Sequence, residues 1–99
     1  MYRYTATVIK WVDGDTVDLK VNLGFFISTN MRFRLLNVDT PERNEEGFVE
    51  AKLLSETMFP VGETRIVETH KTDKYGRWLV DLPDVTAALS AAGYNKLSK

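Results

Sequence analysis

The 99-residue chain contains no cysteine, which excludes disulfides, a thiol nucleophile and thiolate-ligated zinc. It carries a single histidine, His70, so no site can draw two imidazoles from one chain, and a Ser-His-Asp triad is disfavoured. Long apolar runs are missing too. None approaches the ~20 residues of a membrane-spanning helix, and no membrane partner is expected. The opening Met1 to Ala6 lacks the apolar core of a signal peptide, which leaves the compartment open between the cytoplasm and, for a processed form, the outside. Excess positive charge is absent as well. Thirteen Lys and Arg stand against 14 Asp and Glu, a net charge of −1. Nucleic-acid-binding domains are usually basic, so composition alone does not announce one.

What is present is a globular composition, 43% hydrophobic and 27% charged. The length fits one domain over residues 1–99, with a single modest core. Thr5 to Val12 is β-branched and aromatic, and Thr16 to Leu23 alternates apolar and polar residues with the period of a half-buried strand. Asp13-Gly14 between them reads as a hairpin turn. Gly24 to Asn30 reads as a loop or a widening of the hairpin. Met31 to Val38 reads as a third strand, whose apolar parity flips after Leu35, suggesting a bulge or strong coiling.

Asn44 is placed to cap a helix over Glu45 to Phe59, with Phe48, Ala51, Leu54 and Met58 on its core face and Pro60 to Gly62 stopping it. Glu63 to Thr69 and Arg77 to Asp81 read as strands. Val85 to Ala92 reads as a second helix, capped by Asp84 and ended by Gly93. The order β-β-β-α-β-β-α fits a mainly β fold with helices, a five-stranded OB-fold barrel, with an open α+β sheet as the alternative.

Chemistry-bearing residues gather at the ends of these elements. Asp13 and Asp15 flank the first turn, and Asp39 and Glu42 follow the third strand. Two such carboxylates side by side would repel unless a hard divalent cation, Ca²⁺ or Mg²⁺, lay between them; alternatively they are simply solvated. Arg32 and Arg34 share one face of the third strand, and Arg77 follows Asp73-Lys74-Tyr75-Gly76. Guanidinium groups match phosphate oxygens, although pairing with surface carboxylates is their common fate. His70 reads most simply as an exposed or half-buried histidine, Trp11 and Trp78 as packing residues, and Phe25 and Phe26 as a loop patch, a nucleotide shelf, or rings tucked under the rim.

Three segments in order, Val12-Asp13-Gly14-Asp15-Thr16-Val17, Phe33 to Glu42 (Phe-Arg-Leu-Leu-Asn-Val-Asp-Thr-Pro-Glu) and Thr72 to Arg77 (Thr-Asp-Lys-Tyr-Gly-Arg), resemble the staphylococcal nuclease (thermonuclease) family. Ala88 to Tyr94 is similar to that family's second helix and its end, so the resemblance runs from about Thr5 to Gly93. It implies an OB-fold barrel and a Ca²⁺-dependent endonuclease, hydrolysing phosphodiester bonds of DNA or RNA by metal-assisted attack of water. It further implies Asp15, Asp39 and the backbone carbonyl of Thr40 as metal ligands, with Asp13 just outside them. Glu42 would be the general base, Arg34 and Arg77 the grips on the scissile phosphate, and Lys74 and Tyr75 contacts to a neighbouring phosphate. The sequence departs from the family in its near-neutral charge, in the short connection His70-Lys71-Thr72, and in ending at Lys99, where the family continues into a third helix with stacking tyrosines. A monomer is expected, with self-association as one answer to the shorter end. The competing reading is a non-catalytic barrel that binds nucleic acid or protein, or serves as a regulatory scaffold.

Overall fold

The computed structural model describes residues 2–72 and 76–94. Five strands and two helices follow in the order β1 (Tyr2–Asp13), β2 (Thr16–Gly24), β3 (Ile27–Leu35), α1 (Phe48–Met58), β4 (Thr64–His70), β5 (Trp78–Asp81) and α2 (Pro83–Ala91). The fold is mainly β, and the strands hydrogen-bond into one closed ring, β1-β2-β3-β5-β4. Twelve-residue β1 makes closure possible. It pairs with β2 (Thr5 opposite Asn22, Asp13 opposite Thr16) and with β4 (Tyr2 opposite Thr69, Thr7 opposite Thr64), with irregularities after Val8 and Trp11. The parallel pairing of β3 with β5, Phe33 opposite Trp78 and Leu35 opposite Val80, completes the ring. No helix among the described residues is long and apolar enough to cross a membrane.

The core follows the period-two pattern. Ala6 and Val8, Val17, Leu19 and Val21, Phe33 and Leu35, Val67 and Val80 all point inward and are buried. Trp11 packs as expected and donates its indole N–H to the Phe59 carbonyl (2.9 Å). Leu23 shares the parity of this set yet is exposed, because it lies beyond the closed part of the sheet near the tip of the β2–β3 hairpin.

That hairpin corrects the expected loop. The strands continue to a two-residue turn, Phe25-Phe26, with φ of +54° and +63°. Positive φ at both central residues is the type I′ signature, which matches the sheet's twist but normally selects Asn-Gly. Both rings project into solvent instead of tucking under the rim. The parity flip near Leu35 is likewise no bulge within a strand. Strand β3 ends there, and Asn37 in the left-handed region (φ +63°) turns the chain so that Val38 is buried again.

Helix α1 starts later than the capping signal suggests. Glu45 uses its side chain to accept the Glu42 backbone N–H (2.6 Å), and residues 42–47 form successive turns. Asn44 and Gly47 both take positive φ, and Gly47 is the cap, without a side-chain hydrogen bond. The fully buried face of α1 is Ala51 and Ser55, whereas Phe48, Leu54 and Met58 are only partly covered. Small residues let the helix lie directly on the β1–β2 turn. Helix α2 begins at Pro83, a good first residue because its missing N–H has no partner to lose there. Asp84 therefore sits in the first turn rather than at the cap, and bonds Arg65 (2.6 Å). Arg65 also stacks on Phe59 at 4.4 Å and meets the Met58 carbonyl, so it ties the end of α1 to the start of α2.

Candidate active site

The β1–β2 turn is built against α1. Gly14 shows no positive φ, so its lack of a side chain matters for space. A Cβ there would stand 2.9 Å from both the Ala51 Cβ and the Thr40 Cγ2. The Gly14 carbonyl accepts the buried Ser55 hydroxyl (2.6 Å), and the Asp13 carboxylate accepts the Asp15 backbone N–H (3.2 Å). The turn is thus held from the helix side and by its own first residue.

Strand register then assembles the charged group. Thr16 lies opposite Arg34, and the Leu35 N–H donates to the Asp15 carbonyl (2.8 Å). The Asp15 carboxylate is buried. It accepts the Thr16 hydroxyl at 3.1 Å and the Thr40 backbone N–H at 3.2 Å, with Arg34 Nη2 at 3.3 Å. The same Nη2 donates to Asp39, while Arg34 Nη1 donates to the Leu35 carbonyl (3.1 Å). Asp39 is fixed through its backbone, whose N–H donates to the Tyr94 carbonyl (3.1 Å) after α2. One guanidinium therefore brings together Asp15 and Asp39, with Thr40 beside them.

The arrangement holds more negative than positive charge. Burial above all, then hydrogen bonding and repulsion from Asp15, raise the Asp13 carboxyl from 3.8 to about 7. The Thr40 hydroxyl oxygen is buried without a hydrogen-bond partner. Converging carboxylates are oxygen donors of the kind a hard divalent cation selects; the expected Thr40 ligand is its backbone carbonyl, not this hydroxyl. Asp15 and Asp39 carry oxygen donors of that kind, both engaged here by Arg34, and Asp13 lies beside Asp15 in the turn.

The arginines divide. Arg32 is exposed and bonds Asp18 through Nε (2.8 Å), with Lys10 at 4.0 Å from the same carboxylate, so it forms a surface ion pair. Arg34 and Arg77 both line a cleft of about 230 Å³ together with Thr16, Arg32, Phe33, Gly76 and Trp78. Strand alternation would set Arg77 and Trp78 on opposite sides. Arg77 precedes β5, however, so the alternation does not reach it, and both residues border the cleft. Trp78 is partly exposed there rather than packed in the core.

Glu42 is exposed in the loop after Pro41. Arg43 is exposed, and Glu50 lies in the first turn of α1. Lys74 and Tyr75 lie outside the described residues. Sequence reading missed Ser55, the Thr16 hydroxyl and the Tyr94 carbonyl. Ser55 alone left a signal, a small polar residue four positions after Ala51 on the covered face of α1. The chain matches no protein-family model.

Proposed function

We propose that the protein is a Ca²⁺-dependent phosphodiesterase of the staphylococcal nuclease type on an OB-fold barrel, cleaving DNA or RNA. The observation that carries this reading is the convergence at Arg34. Its guanidinium joins the carboxylates of Asp15 and Asp39 and borders the cleft that Arg77 also lines. Strand order and the closed sheet are compatible with the OB fold.

In this reading Asp15, Asp39 and Thr40 hold the cation. When bound, it supplies polarisation of a phosphoryl oxygen and orientation of water. Arg34 and Arg77 donate to the non-bridging phosphate oxygens, and these bonds strengthen as negative charge builds in the transition state. Glu42 takes the proton of the attacking water, a role open to an exposed carboxylate on a loop stiffened by Pro41. Asp13 and Ser55 keep the Asp15 turn in place. Trp78 offers an aromatic face beside the phosphate grips, suited to a base of a single strand.

The test is cleavage of single-stranded DNA and of RNA, with Ca²⁺ or with chelator. The wild type is compared with Glu42→Gln and with Arg77→Ala, both exposed positions whose loss spares the core. Calcium-dependent turnover should fall by about 100-fold or more in each variant. A folded protein that binds Ca²⁺ and cleaves neither polymer would overturn the assignment in favour of a binding barrel.

A further inference from the structure

The outer face of the β4–β5 seam carries a second group of side chains that the phosphodiesterase reading does not use. Glu68 lies directly opposite Asp81 in the antiparallel register, and His70 stands two residues beyond Glu68. Alternation puts these three on one face and the buried Val67, Thr69 and Val80 on the other. Two carboxylates opposed across a strand pair repel each other and weaken the seam. Here they share their face with an imidazole, and one ligand atom from each of the three lies within 4.8 Å of the other two.

Two further details concern how these atoms are aimed. The His70 Nε2 is shut off from solvent and makes no hydrogen bond; its nearest charged neighbour, Glu68 Oε1, is 3.7 Å away, too far to satisfy it. The other Glu68 oxygen, Oε2, meets the Arg3 guanidinium (3.5 Å), and Arg3 stands opposite Glu68 in the β1–β4 pairing. The carboxylate is thus held from behind, with Oε1 turned toward the ring.

We infer that Glu68, His70 and Asp81 form a binding site for a divalent transition-metal ion of the zinc class, ligated by one imidazole nitrogen and two carboxylate oxygens. Zinc–ligand bonds of about 2.0–2.2 Å leave tetrahedral donors roughly 3.4 Å apart. Side-chain rotation within the present spacing reaches that. With the imidazole neutral, Arg3, Glu68 and Asp81 sum to −1, so the site attracts a dication. Arg3 takes the supporting part that outer partners play for metal-bound carboxylates. A cleft of about 240 Å³, lined by Arg3, Ile66, Glu68, Asp81 and Pro83 among others, borders the two carboxylates on the side away from His70. The imidazole sets the preference. A nitrogen donor suits zinc, nickel or copper, whereas Ca²⁺ and Mg²⁺ favour oxygen alone. The site shares no residue with the Asp15–Asp39 group, and its occupancy does not depend on any nuclease activity.

The single histidine makes the test unambiguous. Zinc is titrated into the full chain in the presence of excess Ca²⁺, while the imidazole nitrogens of His70 are followed by long-range ¹H–¹⁵N correlation and the melting temperature is recorded. One equivalent should shift Nε2 strongly and raise the melting temperature, and Ca²⁺ alone should do neither. Replacing partners behind metal ligands already weakens binding about 10–100-fold, so His70→Gln and Asp81→Asn should each lose at least that much. Both side chains are only partly buried, and circular dichroism verifies that each variant is folded. Unmoved imidazole resonances at saturating zinc, or zinc affinity unchanged in either folded variant, would overturn the assignment.

Discussion

Replacing Arg34 by Met tests the assembly of the candidate active site through stability alone. Arg34 is 9% exposed, and its Nη2 faces Asp15, whose side chain is equally buried, and Asp39, whose side chain is 57% exposed. Methionine keeps most of the aliphatic stem and removes the charge. Asp15 then keeps only the Thr16 hydroxyl and the Thr40 N–H, and the Leu35 carbonyl loses a donor. Breaking a fully buried ion pair from one side costs about 3–5 kcal/mol, and an exposed pair contributes roughly 0–1 kcal/mol. This site has one buried and one half-exposed carboxylate, so the expected loss is about 2–4 kcal/mol. For a chain of this size that corresponds to a fall of roughly 10–25 °C in melting temperature. Urea denaturation followed by tryptophan fluorescence reads it directly, because Trp11 is buried in the core. Asp39→Asn, alone and combined with Arg34→Met, isolates the coupling between the two. Calcium should recover part of the loss in Arg34→Met, since a cation between Asp15 and Asp39 replaces the missing charge. A loss below about 1 kcal/mol would refute the reasoning, because it would place Arg34 among ordinary surface ion pairs.

Gly14→Ala should destabilise by about 1–3 kcal/mol through overpacking against Ala51 and Thr40 and should weaken calcium binding, measured by calorimetry; an unchanged melt would mean the helix can retreat at no cost. Asp13 binds its proton more tightly folded than unfolded, with a folded value of about 7 against 3.8. Its contribution is therefore greatest below pH 4 and is lost as pH rises through 7. In calcium-free buffer Asp13→Asn should consequently gain stability over the wild type at pH 8 and lose that advantage at pH 4, as read from urea midpoints. Replacing Phe25-Phe26 by Asn-Gly should stabilise the hairpin by about 1 kcal/mol or more, because asparagine and glycine accept the left-handed conformation that phenylalanine resists. A thermal melt that stays put would show that the two rings offset the strain by contacts of their own.

Much of the fold was legible because period-two burial is a local property. The alternation Val17, Leu19, Val21 announces a half-buried strand whatever lies across from it, and all three are buried. Element types and order could be read in the same way, and the β4 and β5 boundaries lie within a residue of expectation. The boundaries that moved did so for reasons of contact. Helix α1 begins at Phe48 because Glu45 turns its carboxylate to the Glu42 N–H, and α2 starts two residues early because Pro83 serves as its first residue, leaving Asp84 in the first turn to bond Arg65. The Phe25-Phe26 turn was unreadable because its residues oppose the conformation that the twist of two long paired strands imposes.

The candidate site divides along the same line. Residue types and spacing by themselves put carboxylates and arginines at strand ends, excluded thiol chemistry, and brought the resemblance to a known nuclease family into view. Only the tertiary structure decided that Arg34, not Arg32, joins Asp15 to Asp39, although the two arginines are two residues apart on one strand. The pairing of Thr16 with Arg34 and the packing of Gly14 under α1 enclose one guanidinium among carboxylates, whereas Asp18 holds the other at the surface. Likewise the opposition of Glu68 and Asp81, thirteen residues apart in the chain, belongs to the register of two strands, a relation that side-chain periodicity along either strand cannot express. Burial and register are properties of paired segments, so charge, spacing and type can nominate residues, while closure of the sheet determines which of them meet.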